Sequence, residues 1–480
     1  MVLVDRPGSA RRRGERPDRS RRAEPGRVAA IRTALTAWLG RPLASFHLVL
    51  AVFGLLTVLG LIMVLSASAL VSLKVPGSTA YTVFKKHLLF ILIGAIACYV
   101  GLRLPLRRIR ATSPVVLLVC IVLLVAVLIP GIGTELNGSR GWLRLGPLSF
   151  QPIEAAKVAL ALWGAHVLVV KRAVLHQYRH LLVPVVPAAL LMFALLMLQP
   201  DLGGTITLGL VLVALLWFAG APLRMFGALA LGGVAGVLLL AVGTQYRLDR
   251  VLAFLSPGAD SLGRGYQSNQ SMIALADGGL FGKGLGQGSS KWDYLPNAHN
   301  DFIFAVVGEE LGFLGCMLVL VLFGTLAVVG MRIATRNIDP WIRLVAATLT
   351  VWLVGQAAIN VGYVVGLLPV TGITLPLISS GGTSVVITML VFGILANCAR
   401  HEPEAVAALR TQGPGRLGRL LRLPAPPPYQ PPAKRCPVRP SSPPGSPRPG
   451  RGANPRAGGR QTPRTTDRSQ PRRGGSMRRT

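Results

Sequence analysis

Ten separate runs of mostly apolar residues constrain this 480-residue chain more than any other feature of its sequence. A helix needs about 20 apolar residues to cross the hydrocarbon core of a bilayer, and each run is close to that length. Because 51% of the residues are hydrophobic and only 14% are charged, an ordinary soluble protein is excluded. We predict an all-α polytopic membrane protein with ten transmembrane helices, at residues 46–66, 83–101, 112–130, 151–170, 181–198, 203–219, 223–243, 301–330, 342–366 and 383–399.

The distribution of lysine and arginine between the loops predicts the orientation, because positively charged loops stay on the cytoplasmic side of a membrane. The basic loops are 103–110, 171–180 and 331–343, whereas the segments 200–204 and 366–382 contain no lysine or arginine. An even number of spans then places both termini in the cytoplasm. We therefore predict a multi-pass protein of the cytoplasmic (plasma) membrane.

Two basic tails flank the apolar body and hold about two-thirds of the net charge of +33. Residues 1–45 are rich in arginine, and residues 401–480 are dense in proline, arginine, glycine and serine. We predict a disordered basic cytoplasmic tail over 1–45, a membrane domain over 46–400 and a second disordered tail over 401–480. The tails lack interleaved aromatic residues and any folded basic motif, which argues against nucleic-acid binding and favours a position near anionic lipid.

One predicted extracellular loop, residues 243–300 between helices 7 and 8, is much larger than the others. It contains the glycine-rich stretch DGGLFGKGLGQGSS (277–290). The GKGLGQG part resembles a phosphate-binding loop only superficially, because no strand precedes it, and we predict a flexible loop. The five cysteines show neither metal-ligand nor disulfide spacing, so no zinc site or disulfide framework is indicated.

Asp301 directly follows this loop and precedes the apolar run FIFAVVG. Two compatible interpretations stay open: a helix cap that satisfies free backbone amides, and a general base held at the membrane boundary. Glu309 and Glu310 follow about 12 to 13 Å deeper along a continuous helix. They are too far from Asp301 for a glycosidase-type pair of carboxylates. Either a functional role or pairing with basic residues that fix the bundle is open for them.

A second polar cluster, NGSRGWLRLGPLSFQPIEAAK, covers residues 137–157. Glu154 and Lys157 lie three residues apart on one face of a predicted helix, where they can form an ion pair. A purely structural pair and a site for an anionic headgroup below Arg140 and Arg144 are equally supported. Asp201, in the turn QPDLGG, is predicted to cap the next helix.

The large loop also carries cations that can stabilise a phosphate leaving group beside a base. These residues are Arg247, Arg250, Arg264, Lys283 and Lys291. Residue types alone make group transfer a hypothesis, with a metal ion held by Asp301 as one version of it.

Five motifs in order along residues 46–400 resemble the SEDS family (shape, elongation, division and sporulation). They are NGSRGWLRLGPLSFQPIEAAK, QPDLGG, GYQSNQSMIALADGGLFGKGLGQG, LPNAHNDFIFAVVGEELGFLG and GLLPVTGITLPLISSGGTS. The TGITLPLIS stretch and the long tails are more similar to division-type and actinobacterial members than to elongation-type members. The resemblance implies ten transmembrane helices and a peptidoglycan glycosyltransferase, which polymerises lipid II into glycan strands and releases undecaprenyl pyrophosphate.

The resemblance also implies roles for particular residues and partners. The family's essential aspartate falls on Asp301, which activates the acceptor sugar's 4-hydroxyl directly or through a divalent cation, Mg²⁺ or Mn²⁺. Arg140, Glu154, Lys157 and His299 match polar positions that bind substrate or shape the cavity. The implied partners are lipid II, a class B penicillin-binding protein (the transpeptidase) and other divisome proteins, the last of these through the cytoplasmic tails at the division septum.

Two other functions stay open at this point. A lipid II flippase suits many spans with buried acids, and a divisome scaffold suits the tails. A residue that carries substrate across is expected near the membrane midplane, whereas Asp301 is predicted at the external start of a helix.

Overall fold

The computed structural model describes residues 40–73, 79–136, 139–146, 148–174, 182–242, 266–291, 295–296 and 298–429. Arg247, Arg250 and Arg264 of the predicted loop, and nearly all of the N-terminal tail, lie outside the described residues. The described part of the chain forms many helices and one small sheet.

The helices follow the apolar pattern of the sequence. In chain order they are α1 (Ala44–Leu73), α2 (Thr82–Arg103), α3 (Leu106–Ala126), α4 (Pro152–Val170), α5 (Val185–Leu198), α6 (Leu202–Phe218), α7 (Leu223–Val242), α8 (Tyr266–Asp277), α9 (Ile303–Arg336), α10 (Pro340–Val364), α11 (Gly382–Arg400), α12 (Pro403–Thr411) and α13 (Arg416–Leu420). Seven described helices, α1 to α4 and α9 to α11, are long and apolar enough to cross a bilayer, and α5 to α7 are shorter apolar helices. Every predicted run therefore coincides with a helix.

A three-stranded antiparallel sheet precedes α4, so the prediction of an all-α fold is wrong here. Its strands are β1 (Gly133–Leu136), β2 (Ser139–Leu145) and β3 (Leu148–Phe150), paired in the order β1-β2-β3. The sequence reason is a cluster of turn-forming glycines around short strands, which includes Gly146 at a φ of 64° directly after β2. The sheet carries Arg140 and lies just before the first turn of α4.

Helix α9 is broken at Gly312, which has a φ of 68° and a ψ of −166°. Its 34 residues would extend about 51 Å, well beyond the hydrocarbon core of about 30 Å. Residues 303–310 are all buried in protein, whereas Phe313 and Leu314 begin a series of exposed apolar side chains. The candidate span Ile303–Arg336 starts close to the predicted 301–330, and its exposed apolar side chains begin at Phe313.

Residues 401–429 are ordered, which differs from the predicted tail that is disordered from residue 401. Helix α12 buries Leu409, and Glu404 forms an ion pair with Arg336 at 2.9 Å. Leucines spaced to face the bundle explain why this first part of a proline-rich tail packs onto the helices. Residues 430–480 lie outside the described residues.

Candidate active site

Asp301 precedes the first residue of α9 by two positions, and its backbone is held firmly. The N-cap of α9 is Phe302, which makes no side-chain cap, so the predicted capping position of Asp301 is wrong. Instead the backbone carbonyl of Asp301 accepts hydrogen bonds from Asn360 Nδ2 at 2.9 Å and from the Tyr363 hydroxyl at 2.7 Å. Two residues of α10 therefore fix where this aspartate sits.

Asn360 and Tyr363 also hold the loop between α10 and α11. Both donate toward the carbonyl of Ile373, at 2.7 Å from Asn360 Nδ2 and 2.6 Å from the Tyr363 hydroxyl, and Asn360 Nδ2 lies 2.6 Å from that hydroxyl. The amide supplies two protons and the hydroxyl one. These three protons serve three acceptors, namely the carbonyls of Asp301 and Ile373 and the hydroxyl oxygen. The network is therefore complete only with both side chains present.

The same loop lies close to the carboxylate of Asp301 and is hydrogen-bonded to the residue two positions before it. Gly372 has a φ of 72°, and a Cβ placed on it would lie 3.7 Å from Asp301 Oδ2. The backbone N–H of Ser380 donates to the carbonyl of His299 at 3.1 Å. Burial lowers the pKa of His299 below its usual range, so its imidazole is neutral near pH 7.

The predicted ion pair between Glu154 and Lys157 is confirmed, with Lys157 Nζ 2.9 Å from Glu154 Oε1. Lys157 is only 1% exposed. Its ammonium also lies 3.4 Å from Gln356 Oε1 and 4.9 Å from the ring centre of Trp352. Gln356 in turn donates to the carbonyl of Thr374 at 3.0 Å. The pair is thus linked to the loop that borders Asp301.

Asp201 caps α6, as the sequence predicts. Its Oδ1 accepts the backbone N–H of Gly204 at 2.7 Å, and its Oδ2 accepts Gln151 Nε2 at 3.3 Å. Burial raises the pKa of the Asp201 carboxyl, while the Gly204 hydrogen bond and the positive charge of Lys157 oppose that rise. The adjacent Gly203 packs so closely on the carbonyl of Thr371 that a Cβ would lie 2.9 Å from it.

The small sheet is hydrogen-bonded to the same end of the helix bundle. Ser139 Oγ donates to the carbonyl of Gln199 at 2.8 Å, and Thr383 Oγ1 donates to the carbonyl of Ser149 at 3.1 Å. Arg140 on β2 is partly buried and has no ion-pair partner within the described ranges. Its guanidinium therefore stays available for an anion.

These contacts bring the predicted site residues to one end of the bundle. Asp301 and His299 share one segment, Glu154 and Lys157 pair on α4, and Arg140 lies on the sheet before α4. Sequence reasoning missed the residues that connect them. The sequence pattern could have indicated them, because polar or aromatic residues recur at helical spacing on one face of the apolar helix α10. They are Trp352, Gln356, Asn360 and Tyr363.

Glu309 and Glu310 hold the glycine-rich stretch against α9 and do not reach Asp301. Glu309 accepts the backbone N–H of Ser289 at 2.6 Å and its hydroxyl at 2.9 Å. Glu310 pairs with Lys291 at 3.0 Å and accepts the hydroxyl of Ser66 on α1. Their pairing with basic residues is confirmed, by Lys283 for Glu309 and by Lys291 for Glu310. Residues 278–289 form turns and irregular loop, as predicted, and these contacts hold the stretch against α9.

At the break in α9, backbone groups of the glycine-rich stretch replace the hydrogen bonds that a continuous helix would make within itself. The carbonyls of Glu309 and Glu310 accept the N–H groups of Lys283 and Gly284, at 2.9 and 3.0 Å. The N–H groups that would fill those carbonyls in a continuous helix, from Phe313 and Leu314, donate instead to residues 279 and 280. Lys283 also pairs with Asp277 at 2.8 Å, so both described loop lysines already have protein partners.

Replacing Gly312 with alanine is expected to lower the free energy of unfolding by roughly 3 kcal/mol or more. Its φ and ψ are essentially restricted to glycine, and a Cβ would collide with the backbone of Leu280 and Gly282. Thermal unfolding in detergent and proteolysis of residues 278–291 measure the effect.

The matched control for that change is Gly324→Ala in the exposed part of the same helix. A Cβ at Gly324 meets nothing within 4 Å, and alanine is the better helix former, so stability should stay equal or rise slightly. Equal behaviour of the two variants contradicts the role assigned to the break.

The donor set around Asp301 limits how a divalent cation can bind. The described residues contain no group of three or more His, Cys, Asp or Glu side chains suited to a metal ion. The buried oxygens Asn300 Oδ1, Asn360 Oδ1 and Thr371 Oγ1 have no hydrogen-bond partner. Mg²⁺ commonly uses one or two carboxylates together with substrate phosphates. The residues fit an ion that arrives with a phosphate-bearing substrate.

Comparisons with known proteins place the chain in a family. The family model described as cell cycle protein, which groups FtsW, RodA and SpoVE, matches residues 46–404. The probable peptidoglycan glycosyltransferase FtsW of Mycobacterium tuberculosis is 50% identical over 471 residues, which cover 95% of this chain and 89% of that protein. Stage V sporulation protein E of Bacillus subtilis is 41% identical over 350 residues, 72% of this chain and 95% of the relative.

Two solved structures share the fold. One chain, from a study of polymerization and crosslinking by a peptidoglycan synthase complex, aligns with a TM-score of 0.61 at 27% identity. The rod shape determining protein RodA of Thermus thermophilus aligns with a TM-score of 0.55, also at 27% identity. Each alignment covers 76% of this chain and 99% of the solved one. The chain therefore belongs to the SEDS family of cell cycle proteins, and it is most akin there to actinobacterial FtsW proteins.

Proposed function

We propose that this chain is a peptidoglycan glycosyltransferase that polymerises lipid II into glycan strands during cell division and releases undecaprenyl pyrophosphate. Half of its residues match a relative named as such an enzyme, over almost its whole length. The observation that carries the site assignment is the fixed position of Asp301. Its backbone is clamped by α10, and its carboxylate borders the loop 366–381 at the polar end of the bundle.

In the proposed reaction Asp301 accepts the proton of the acceptor's 4-hydroxyl as that oxygen attacks the donor's anomeric carbon. The new glycosidic bond forms on the opposite face from the bond to pyrophosphate, which breaks, so the configuration inverts. Negative charge then grows on the leaving pyrophosphate. Arg140, which has no protein counter-ion in the described part, is suited to stabilise it. His299, Glu154 and Lys157 shape the cavity or contact the sugars.

A divalent cation, Mg²⁺ or Mn²⁺, fits this site only as a companion of the pyrophosphate, with Asp301 as its single carboxylate ligand. When bound it would neutralise charge on the leaving phosphates. Asp301 keeps its place in either case, because the α10 clamp acts on its backbone.

The topology we propose has ten transmembrane helices with both termini in the cytoplasm. The shorter helices α5, α6 and α7 complete the count, and the α9 span begins after Gly312. The large loop before Asp301 then lies outside, with tails 1–45 and 401–480 inside. The proposed location is the plasma membrane at the division septum.

A class B penicillin-binding protein is the proposed catalytic partner. The solved chain from a peptidoglycan synthase complex supports a joint machine for polymerization and crosslinking. Other divisome proteins are proposed to bind the cytoplasmic tails.

The deciding experiment is polymerisation of labelled lipid II in detergent by the purified chain together with its class B partner. Micelles have no second compartment, so a flippase alone yields no polymer there. Glycan strands that form in this assay, and that persist when the partner's transpeptidase is blocked, support the proposal. If a folded complex forms no polymer, the flippase or the divisome scaffold becomes the favoured function.

Asn360→Ala is expected to lower kcat about 10- to 100-fold with little change in KM for lipid II, because a small displacement of the base misaligns it. The variant removes both amide donors that hold the carbonyls of Asp301 and Ile373. Polymerisation kinetics at several lipid II concentrations measure this split.

Asn397→Ala is the matched control. Asn397 is equally buried and donates to two backbone carbonyls, those of Gly101 and Leu104, at the other end of the bundle. Both variants should lose about 1–3 kcal/mol of stability. If both also lose the same activity per folded molecule, Asn360 is structural and not a positioning residue.

A further inference from the structure

A pocket lies at the opposite end of the bundle from Asp301, where the ordered segment 401–429 meets the start of α1. Three basic side chains line it: His47, Arg400 and Arg416. The rest of its wall is mainly apolar, with leucine and phenylalanine side chains. In the orientation proposed above, Arg400 ends one span and α1 begins another, so the pocket lies at the inner surface of the membrane.

Arg400 is buried, and within the described part of the chain it uses only a small part of its hydrogen-bonding capacity. It is 4% exposed, and toward the described residues its guanidinium donates one hydrogen bond, to the carbonyl of Pro424 at 2.6 Å. A guanidinium has five N–H donors. No carboxylate pairs with Arg400 among the described residues. A buried charge without a counter-ion is costly, so the arrangement favours an anion from outside the chain.

The nearby acids are directed elsewhere. Glu404 pairs with Arg336 at 2.9 Å, and the cations that act on Glu402 are Arg332 and Arg336. His47 places Nδ1 2.9 Å from the carbonyl of Leu43, which leaves Nε2 free of that contact. The lining of the pocket therefore includes two guanidinium groups and no carboxylate.

We propose that this pocket binds the phosphate of a phospholipid headgroup from the inner leaflet. Arg400 and Arg416 supply the planar donors that match phosphate oxygens, and the apolar wall suits the adjoining glycerol and upper acyl chain. Free phosphate carries the same charge but has no apolar part that could pack against the wall of the pocket. Lipid bound to Arg400 would also help to fasten segment 401–429 to the bundle, because Arg400 already holds Pro424 of that segment.

The test is native mass spectrometry of the full chain released from detergent, with phosphatidylglycerol titrated in. Wild type should retain one phosphatidylglycerol more tightly than the rest. Arg416→Gln and Arg400→Gln should weaken that binding at least about tenfold. Arg416 is exposed, so its variant folds even if replacement of the buried Arg400 prevents folding.

Arg419→Gln is the matched control, because Arg419 is exposed on the same short helix but does not line the pocket. It should bind like wild type. Equal retention by Arg416→Gln and wild type overturns the site. Inorganic phosphate is the second probe. If it displaces the lipid at millimolar concentration and binds alone as tightly, the lipid assignment fails in favour of a soluble phosphate compound.

Discussion

Replacing Asp301 by alanine or asparagine is expected to lower the rate of glycan polymerisation by about 10²- to 10⁴-fold, the usual contribution of a general base. Both variants remove the carboxylate that takes the hydroxyl proton in the proposed mechanism. Neither removes the backbone carbonyl that Asn360 and Tyr363 hold, so the fold around the site should survive. Labelled lipid II assays of the complex with the class B partner measure the rate.

The control for Asp301 is Asp277→Asn. Asp277 ends α8 in the same external region, is partly exposed, and pairs with Lys283 at 2.8 Å. It should polymerise at nearly the wild-type rate. Full activity in Asp301→Ala would mean that another group is the general base, and Asp201 is the next acid to test. It would remove the main support for the mechanism.

Lys157→Met is expected to lower the free energy of unfolding by about 3–5 kcal/mol, because it leaves the buried carboxylate of Glu154 without its counter-ion. Glu154 is 7% exposed, and its Oε2 already has no hydrogen-bond partner. Methionine preserves most of the volume, so the loss reports the charge and not a cavity. Chemical or thermal unfolding in detergent measures it.

The double variant Glu154→Leu with Lys157→Met separates structure from chemistry. Removing both charges together should recover most of the lost stability, since a buried pair often adds little over apolar side chains of similar volume. Persistent instability in the double variant contradicts the ion-pair account. If the double variant is stable and polymerises normally, the ion pair has a structural role only. If it is stable but inactive, the pair contributes to substrate binding.

Sequence reasoning succeeded where the determining interactions are local. The Glu154–Lys157 pair spans three residues and the Asp201 cap spans three, so spacing alone predicts both. The apolar runs predict the helices because bilayer thickness fixes their length. The predicted cap at Asp301 is one residue before the observed N-cap, Phe302, and the partners that hold Asp301, Asn360 and Tyr363, come from a helix some sixty residues away.

The break at Gly312 was hidden for the same reason. A run of apolar residues on both sides predicts one continuous helix, and glycine alone does not end one. The break depends on Lys283 and Gly284, which reach the exposed carbonyls from a separate segment. Spacing along the helix likewise does not predict that Glu309 and Glu310 bind this segment, because their partners Ser289 and Lys291 lie about twenty residues away.

The break in α9 also separates the part of the helix that faces lipid from the part that leads to Asp301. Transmembrane helices tilt when a bilayer becomes thinner or thicker than their apolar length. A rigid rod from Arg336 to Asp301 would convert such a tilt into a displacement of the carboxylate. Here the rod is interrupted, and the inner wall of protein, not the lipid, holds the portion that leads to Asp301. We therefore expect the joint to insulate the proposed base from changes in the thickness of the membrane.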